Sequence, residues 1–154
     1  MKIKVKYFNP LITKMEKITK GDWIDLRNAS RDIGNSDGLK EPGVYLKAGQ
    51  AAHISLGVGM ILPEGYEAHI APRSSTFRKY GILLTNSVGV IDNSYSGNND
   101  EWGADIYAIR DTFIPFNERI LQFRIIENQP AIEFEEVEKL NDKNRGGFGS
   151  TGSK

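Results

Sequence analysis

The chain has 154 residues, a length that favours a single domain with its own hydrophobic core. It contains 20 basic and 20 acidic residues, so its formal net charge is zero, whereas phosphate-backbone binders normally carry a basic excess. Cysteine is absent and only two histidines occur, which excludes disulfides, a cysteine nucleophile and thiolate zinc sites. No stretch approaches the roughly 20 apolar residues of a membrane-spanning helix. We therefore expect a cytoplasmic protein that binds neither nucleic acid nor membrane.

The first half of the chain contains short segments with the period of β-strands. Near the N-terminus, Ile3, Val5 and Tyr7 alternate with lysines, a pattern typical of a half-buried edge strand. Residues 21–26 form a second short apolar run, and the polar residues 27–43 predict a loop. Residues 56–62 and 66–70 alternate again on either side of a Pro-Glu-Gly turn, which predicts two strands joined by that turn.

Residues 72–81, with the sequence PRSSTFRKYG, interrupt this β pattern. A serine after proline favours the start of a short helix and Gly81 suits its end, so residues 74–80 are the one predicted helix. Further along, residues 106–109, 119–126 and 131–137 have strand-like compositions. Many short strands, frequent turns and almost no helical periodicity predict an all-β sandwich or barrel.

The segment NSVGVIDNSYSG, residues 86–97, holds the most informative carboxylate. Its apolar residues 88–91 predict a buried strand, and Asp92, Asn93 and Ser94 predict a turn, which together outline a hairpin with an acid at its bend. An acid placed directly after an apolar strand is partly desolvated and rigidly held, as a general base often is. The alternative is an Asx turn in which Asp92 bonds its own backbone, a far commoner arrangement.

The C-terminal residues 141–154, NDKNRGGFGSTGSK, differ from residues 1–140, which we interpret as the β domain. They contain one large apolar side chain, Phe148, and cannot bury enough surface to offset the entropy of ordering, which predicts a flexible arm. Glycine backbone N–H groups can nonetheless cradle phosphate oxygens, Arg145 can bind them in bidentate fashion, and Phe148 can lie on a base. A solvated tail and a lid that closes over a ligand both fit this composition.

Five separated motifs resemble, in sequence order, those of the trimeric dUTPases, and they cover residues 20 to 152. They are WIDL at residues 23–26, PRSST at 72–76, TNSVGVIDNSYSG at 85–97, RILQF at 119–123 and RGGFGSTG at 145–152. The third and fifth are the most specific, and the sequence around them is similar to that of phage and prophage enzymes. The resemblance implies an all-β, jelly-roll-like subunit with one short helix, and a homotrimer with three active sites at subunit interfaces.

Members of the family hydrolyse dUTP to dUMP and pyrophosphate with Mg²⁺ held mainly by the triphosphate, and the resemblance implies the same substrate and cofactor here. Asp92 matches the carboxylate that activates the water attacking the α-phosphorus. Asn86 and the backbone from Gly89 to Ile91 match the segment that reads uracil through main-chain hydrogen bonds. Tyr95 matches the aromatic residue that packs under the deoxyribose and excludes a 2′-hydroxyl.

The second and fourth motifs imply contacts to the phosphates. Arg73, Ser74 and Ser75 match a phosphate-binding turn at a helix start, and Gln122 matches a further phosphate contact. Arg119 precedes that glutamine, but a structural surface pair explains it equally well, so we assign it no chemistry.

The fifth motif implies a role for the tail. Arg145 matches the arginine that reaches the γ-phosphate, and Phe148 matches the ring that stacks on uracil. The backbone of Gly149, Ser150 and Thr151 matches the part that wraps the terminal phosphates. The family's arrangement implies that the tail of one subunit closes over a site built by the other two.

Three departures from the family pattern leave roles open. The first motif usually reads Ala-Gly-Tyr-Asp-Leu, but here Trp23 and Ile24 precede Asp25. A contact of Asp25 to magnesium through water and a purely structural role are therefore both open, and no direct protein ligand to the metal is expected. Ser96 stands where an arginine is common, and residues 98–111 form a longer and more polar link than usual, so their path is not predicted.

Two alternatives to dUTP hydrolysis remain at this stage. A dCTP deaminase shares the fold and an Arg-Ser-Ser turn, although Tyr95 and the complete RGGFGSTG ending favour the triphosphatase. A phage regulatory protein that binds a repressor through the same trimer is the second alternative.

Overall fold

The computed structural model describes residues 1–36, 41–141, 143, 144 and 146. The described chain consists of short strands and one short helix, which confirms the expected all-β fold. The elements are β1 (Lys4–Tyr7), β2 (Ile24–Arg27), β3 (Asp32–Ile33), β4 (Gly43–Leu46), β5 (Ala51–Ser55), β6 (Val58–Ile61), β7 (Tyr66–Pro72), α1 (Thr76–Tyr80), β8 (Ile82–Leu84), β9 (Gly89–Ile91), β10 (Gly103–Ala108), β11 (Thr112–Pro115) and β12 (Arg119–Glu127).

Within the described residues the strands form four small sheets in which sequence-distant strands are neighbours. The largest sheet has the order β2-β12-β7-β9, and the others are β5-β10-β8, β11-β4-β3 and the pair β1-β6. Every pairing is antiparallel except that of β3 with β4. Long connections between antiparallel strands are typical of jelly rolls, because a simple meander would pair consecutive strands.

The longest pairing joins β7 to β12, where residues 66–72 lie beside residues 121–127. Side chains along β12 alternate between the two faces of the sheet, as the period of a strand requires. Leu121 and Phe123 are buried, while Gln122 between them is only partly covered. One face of this sheet therefore contributes to the core, and the other presents polar groups.

The hydrophobic core lies between the sheets and includes one tryptophan. Trp102 is fully buried, and its ring meets that of Phe123 edge-on at a centroid distance of 5.2 Å. Edge-to-face pairs of this kind contribute about 0.5–1.5 kcal/mol beyond the burial of their surface. The largest other fully buried side chains are Leu26, Ile54, Leu56, Ile70, Ile82, Ile106, Ile114, Ile120, Leu121, Val44 and Val58.

Most of the predicted strands are present, but their partners differ from the simplest expectation. The turn at residues 63–65 joins β6 to β7, as predicted. These two strands do not pair with each other, because β6 pairs with β1 while β7 pairs with β12 and β9. The polar residues 27–43, predicted to be a loop, contain the two-residue strand β3.

The predicted strand at residues 131–137 is wrong. Residues 128–140 carry no regular secondary structure, and Phe134 is 93% exposed. The apolar composition of this segment is real, yet no neighbouring strand within the described chain offers its backbone a partner. A strand needs such a partner because its N–H and C=O groups bond outward, unlike those of a helix.

The predicted helix is present as α1, and its C-terminus is formed as expected. Gly81 has φ +61° and its N–H donates to the carbonyl of Phe77, which is a left-handed C-terminal cap. Ser75 occupies the N-cap position without a side-chain capping hydrogen bond. Thr76 anchors the helix instead, since its buried hydroxyl donates to the carbonyl of Ile120 at 2.5 Å. Among the described residues, no helix has the length and apolar character needed to cross a membrane.

A buried asparagine ties the end of β2 to the turn that joins β11 to β12. The side-chain amide of Asn28 donates to the carbonyls of Pro115 at 3.0 Å and of Ile114 and Ser30 at 3.3 and 3.2 Å. Its side-chain oxygen accepts from the N–H of Ser30 at 3.0 Å, and its own N–H donates to the carbonyl of Glu118. Asn28 is fully buried, so each of these bonds replaces one that water would otherwise make.

We expect Asn28→Asp to destabilise the fold by at least about 2 kcal/mol at neutral pH. A carboxylate has nearly the same shape, but it cannot donate to the surrounding carbonyls and would bury an unpaired charge. Urea unfolding of the variant beside wild type measures the loss. Asn99→Asp, at an exposed position, is the control, and equal stability of the two variants would contradict the role given to Asn28.

Candidate active site

Asp92 lies in a turn directly after β9. Its side-chain oxygen accepts from the N–H of Ser94 at 2.8 Å, and its carbonyl accepts from the N–H of Tyr95 at 3.0 Å. The Asx turn considered as the alternative is therefore formed. Hydrogen bonds from the side chain and then the backbone of Ser94 hold the pKa of the Asp92 carboxyl below its usual range. The carboxylate is ionised at neutral pH and has a fixed direction, as a base that orients a water needs.

The expectation of a buried strand before Asp92 is wrong. Val88 and Val90 are 43% and 57% exposed, and Asp92 is exposed as well. The cause is topological: β9 is the last strand of its sheet and, among the described residues, pairs with β7 alone. The predicted hairpin is also incomplete, because the chain continues from Asp92 in turns and does not return as a strand.

The open edge of β9 has backbone groups that could form hydrogen bonds with a nucleobase. In an antiparallel edge strand, alternate residues direct their N–H and C=O groups away from the sheet. Gly89 and Ile91 belong to this strand, and Asn86 lies in the turn that precedes it. A Cβ at position 89 would stand 3.2 Å from that of Ile70, so glycine lets β9 lie close against β7.

A second group of site residues gathers where the other end of β7 meets β2 and β12. Asp25 bridges two arginines, with one oxygen 2.7 Å from Nε of Arg73 and the other 3.1 Å from Nη1 of Arg119. The side-chain amide of Gln122 donates to the carbonyl of Pro72 at 3.1 Å, so it lies beside this bridge. We call Asp25, Arg27, Arg73 and Arg119 the arginine cluster.

Arg27 and Arg119 are members of the cluster for which sequence analysis predicted no role in binding or catalysis. Both lie where β2 pairs with β12, with Arg27 directly opposite Arg119. Burial and then the charge of Arg119 lower the pKa of Arg27, while Asp25 acts in the opposite direction. Arg73 and Arg119 thus share the carboxylate of Asp25, while the guanidinium of Arg27 donates to the carbonyl of Asn117 at 2.7 Å and feels Asp25 through its charge. The sequence signal for this cluster was an arginine directly after the first motif and within the second and fourth motifs. Strand register, which the sequence does not specify, brings these arginines together.

Ser74 and Ser75 fill the turn between β7 and α1, next to Arg73. Both are exposed, and the hydroxyl of Ser75 does not cap the helix. The turn therefore has hydroxyl groups at the surface beside the arginine cluster. Together these groups provide positive charge and hydrogen-bond donors in one place, which is what an oligophosphate requires.

The arginine cluster and Asp92 lie at opposite ends of β7. Ala68 pairs with Ile91, so the next residues along these antiparallel strands, Glu67 and Asp92, lie side by side. Glu67 and Asp92 line one cavity of about 680 Å³. Arg73 follows the other end of β7, six residues away, a separation of about 20 Å at the usual strand rise. A triphosphate is far shorter than this. In the described chain, the residues predicted to act on the nucleoside and those predicted to bind the phosphates therefore lie apart. We call them the base half-site, at Asp92, and the phosphate half-site, at the arginine cluster.

The predicted tail residues Arg145, Phe148, Gly149, Ser150 and Thr151 lie outside the described residues. Their roles stay predictions.

Comparisons with known proteins identify the family of the chain. The family model described as dUTPase matches residues 41–152, most of the chain. The SPbeta prophage-derived deoxyuridine 5′-triphosphate nucleotidohydrolase YosS of Bacillus subtilis (strain 168) is 47% identical over 154 residues, which cover all of both chains. This chain belongs to the dUTPase family.

Solved structures of phage dUTPases share the fold. The Staphylococcus bacteriophage 80alpha dUTPase with dUPNHPP has a TM-score of 0.71 at 21% identity, over 99% of each chain. A mutant dUTPase from phage phi11 of S. aureus, which holds a structural Mg(II) ion, has a TM-score of 0.67 at 17% identity, over 90% of this chain and 98% of that one. These neighbours confirm the fold, while the family match and the 47% identity to a prophage-derived relative confirm the family and the phage-like character inferred from the motifs. The family match and the prophage-derived relative support dUTP hydrolysis over the dCTP deaminase alternative.

For this dUTPase we expect Ser94→Ala to move the acid side of the pH–rate profile to higher pH. The serine side chain is the main cause that lowers the pKa of Asp92, so its removal raises that pKa, and the carboxylate is then protonated at a higher pH. The measurement is kcat/KM against pH for variant and wild type. Ser96→Ala, which removes a hydroxyl two residues later, serves as control, and an unshifted profile for Ser94→Ala would show that a group other than Asp92 sets the acid limb.

Proposed function

We propose that this chain hydrolyses dUTP to dUMP and pyrophosphate, with Asp92 as the general base. The observation that carries the proposal is the match to the dUTPase family, in which Asp92 falls in the most specific motif. The Asx turn is compatible with this role, because it keeps an ionised carboxylate fixed next to the open edge of β9. In this mechanism Asp92 takes a proton from a water while that water attacks the α-phosphorus, and the bond from the α-phosphorus to the bridging oxygen breaks. Proton transfer of this kind is worth roughly 10²- to 10⁴-fold in rate.

Recognition of uracil is assigned to β9, the strand that directly precedes the general base Asp92. Backbone groups on the free edge of β9, from Gly89 to Ile91, pair with the uracil edge, and the amide of Asn86 supplies a further contact. Cytosine presents an amino group where uracil has a carbonyl, so it would leave backbone groups unpaired. Sites built from such hydrogen bonds reject the wrong partner strongly, because buried polar groups are costly when they are left without one.

The phosphates are assigned to the arginine cluster, the hydroxyls of Ser74 and Ser75, and the amide of Gln122. Arg73 is the best placed of the cations, since the salt bridge to Asp25 at 2.7 Å orients its guanidinium. Asp25 also receives Arg119, so its carboxylate offsets repulsion between the two arginines. This contact supports the structural role that the sequence left open for Asp25.

The residues of the phosphate half-site fit magnesium as an ion that the substrate's phosphates carry. The described residues contain no group of three or more His, Cys, Asp or Glu side chains that could hold a metal. Mg²⁺ typically keeps several waters and binds through one or two carboxylates together with substrate phosphates. Asp25 is the one carboxylate of the phosphate half-site, and its free lone pairs could accept from a metal-bound water. When bound to the triphosphate, the ion would neutralise phosphate charge.

We further propose that the active form is a homotrimer in which each site joins the base half-site of one copy to the phosphate half-site of the next. The support is the separation along β7, since one chain cannot place both half-sites on one triphosphate. A ring closed by head-to-tail contacts repeats the same junction at every interface, and the family resemblance gives the number three. The tail of the third copy, with Arg145 and Phe148, then closes as a lid over the site that the β domains, residues 1–140, of the other two copies form.

The first experiment compares pyrophosphate release from dUTP, dTTP, dCTP and UTP in the presence of magnesium. Selective release from dUTP is expected. Asp92→Asn should bind dUTP but lose at least about 10²-fold in turnover, because the amide cannot take up the proton. Near-normal turnover of Asp92→Asn would place the base elsewhere.

Mixed trimers test whether the site is shared. Asp92→Asn and Arg73→Ala are each expected to be severely impaired, for different half-sites. When the two variants are unfolded together and refolded at equal amounts, some junctions combine an intact Asp92 with an intact Arg73, and about a quarter of wild-type activity should return. Each variant refolded alone is the control. A mixture that stays inactive, although mass measurement shows mixed trimers, would mean that the site lies within one chain.

The regulatory alternative has one supporting observation. The 80alpha dUTPase is described as controlling the transfer of virulence genes by a proto-oncogenic G protein-like mechanism. By analogy, a repressor protein would be the partner of this chain. That function becomes the leading one if all four nucleotides are inert with a folded protein. In either case we propose the cytoplasm, that of the host for a phage-encoded chain, as the compartment, because a chain without cysteine suits reducing conditions.

A further inference from the structure

The link at residues 98–111, whose path the sequence did not predict, contains β10, and its first residues, 98–102, are firmly attached to the β domain. Lys6 on β1 donates to the backbone oxygen of Asn98 at 2.6 Å and to its side-chain oxygen at 3.0 Å. The N–H of Gly97 donates to the carboxylate of Asp100 at 2.6 Å. The start of the link is therefore held by Lys6 of β1 and by the carboxylate of Asp100.

Glu101 is the point at which the link meets the turn between β5 and β6. Its carboxylate accepts from the N–H of Gly57 at 3.0 Å and from the hydroxyl of Ser55. The next residue, Trp102, donates its N–H to the carbonyl of Val58 at 2.7 Å and lies fully buried in the core. Since the side chain of Glu101 and the whole of Trp102 are fixed, the peptide group between them has little freedom.

That peptide group is bonded to Tyr95. The hydroxyl of Tyr95 donates to the carbonyl of Glu101 at 3.1 Å, and its N–H donates to the carbonyl of Asp92 at 3.0 Å. The ring is thus held at both ends, although 42% of the residue is exposed. An exposed tyrosine without the hydroxyl contact would change rotamer readily, because only its backbone would be fixed.

We propose that Glu101 is a positioning residue for sugar discrimination: by fixing its own carbonyl it holds the Tyr95 ring in the position that leaves no room for a 2′-hydroxyl. The inference rests on the proposed dUTP hydrolysis, in which the ring packs under the deoxyribose. A ring that tilts away opens space for the ribose hydroxyl, so loss of the contact should raise UTP turnover more than it changes dUTP turnover. Glu101 acts through Tyr95 and need not touch the substrate.

The test is the ratio of kcat/KM for dUTP to kcat/KM for UTP in three variants. Tyr95→Phe keeps the ring and removes the hydroxyl, and Glu101→Ala removes the side-chain attachment of the link. Each should lower the ratio by about 3- to 10-fold, the effect of losing one hydrogen bond. Glu101→Gln keeps an oxygen that can accept from Gly57 and Ser55, so its ratio should stay close to that of wild type.

The outcomes separate this inference from the proposed function. Ratios equal to wild type in Tyr95→Phe, with dUTP hydrolysed normally by wild type, overturn the positioning role and leave the hydrolase intact. A ratio that falls equally in Glu101→Gln and Glu101→Ala also overturns it, because the retained acceptor should rescue. If Glu101→Ala does not fold, Tyr95→Phe still decides. A folded wild type that releases no pyrophosphate from dUTP overturns the proposed function and the inference together.

Discussion

The antiparallel pairing of β7 with β12 is the constraint on which the arrangement of the site depends. It joins two segments about fifty residues apart and fixes which polar side chain of one strand lies beside which of the other. At one end it places Gln122 and Arg119 next to the turn that carries Arg73. At the other end, the Asp92 turn is connected to β7 only by way of β9, whose last residue, Ile91, pairs with Ala68 in the described chain. The ladder therefore orders both half-sites and at the same time keeps them apart, since a strand is a nearly inextensible spacer.

Electrostatics explains why the phosphate half-site is stable before any phosphate arrives. Arg27, Arg73 and Arg119 lie close together, and without Asp25 they would repel one another in a partly covered environment. One carboxylate with both oxygens in use reduces that repulsion, yet the group keeps a net positive charge. Each guanidinium retains N–H donors beyond those used by Asp25, because the group has five. Asp25 thus limits the electrostatic repulsion that would oppose folding, while the remaining positive charge can attract an oligophosphate.

The sequence predicted the all-β class, the helix end at Gly81 and the turn at Asp92, because each depends on local chemistry: period-two alternation, left-handed φ and an Asx bond. It also assigned roles to Asp92, Arg73 and Gln122 through motifs, and those roles stay predictions. It failed wherever the outcome depended on which strands become neighbours. Val90 looked buried but lies on an edge strand, residues 131–137 had strand composition without a strand partner, and Arg27 joined the cluster through register alone. Pairing is decided by long-range contacts, and composition does not encode it.

The two tryptophans of the chain occupy very different surroundings, and this has a spectroscopic consequence. Trp102 is enclosed by the core against Phe123, whereas Trp23 is half-buried in the first motif with the guanidinium of Arg124 6.0 Å from its ring. The intrinsic fluorescence should therefore contain a blue-shifted component that iodide does not quench and a red-shifted component that it does. The first component reports the integrity of the core and the second reports the surface around Trp23 and Arg124, so one emission spectrum distinguishes global unfolding from a local change at the first motif.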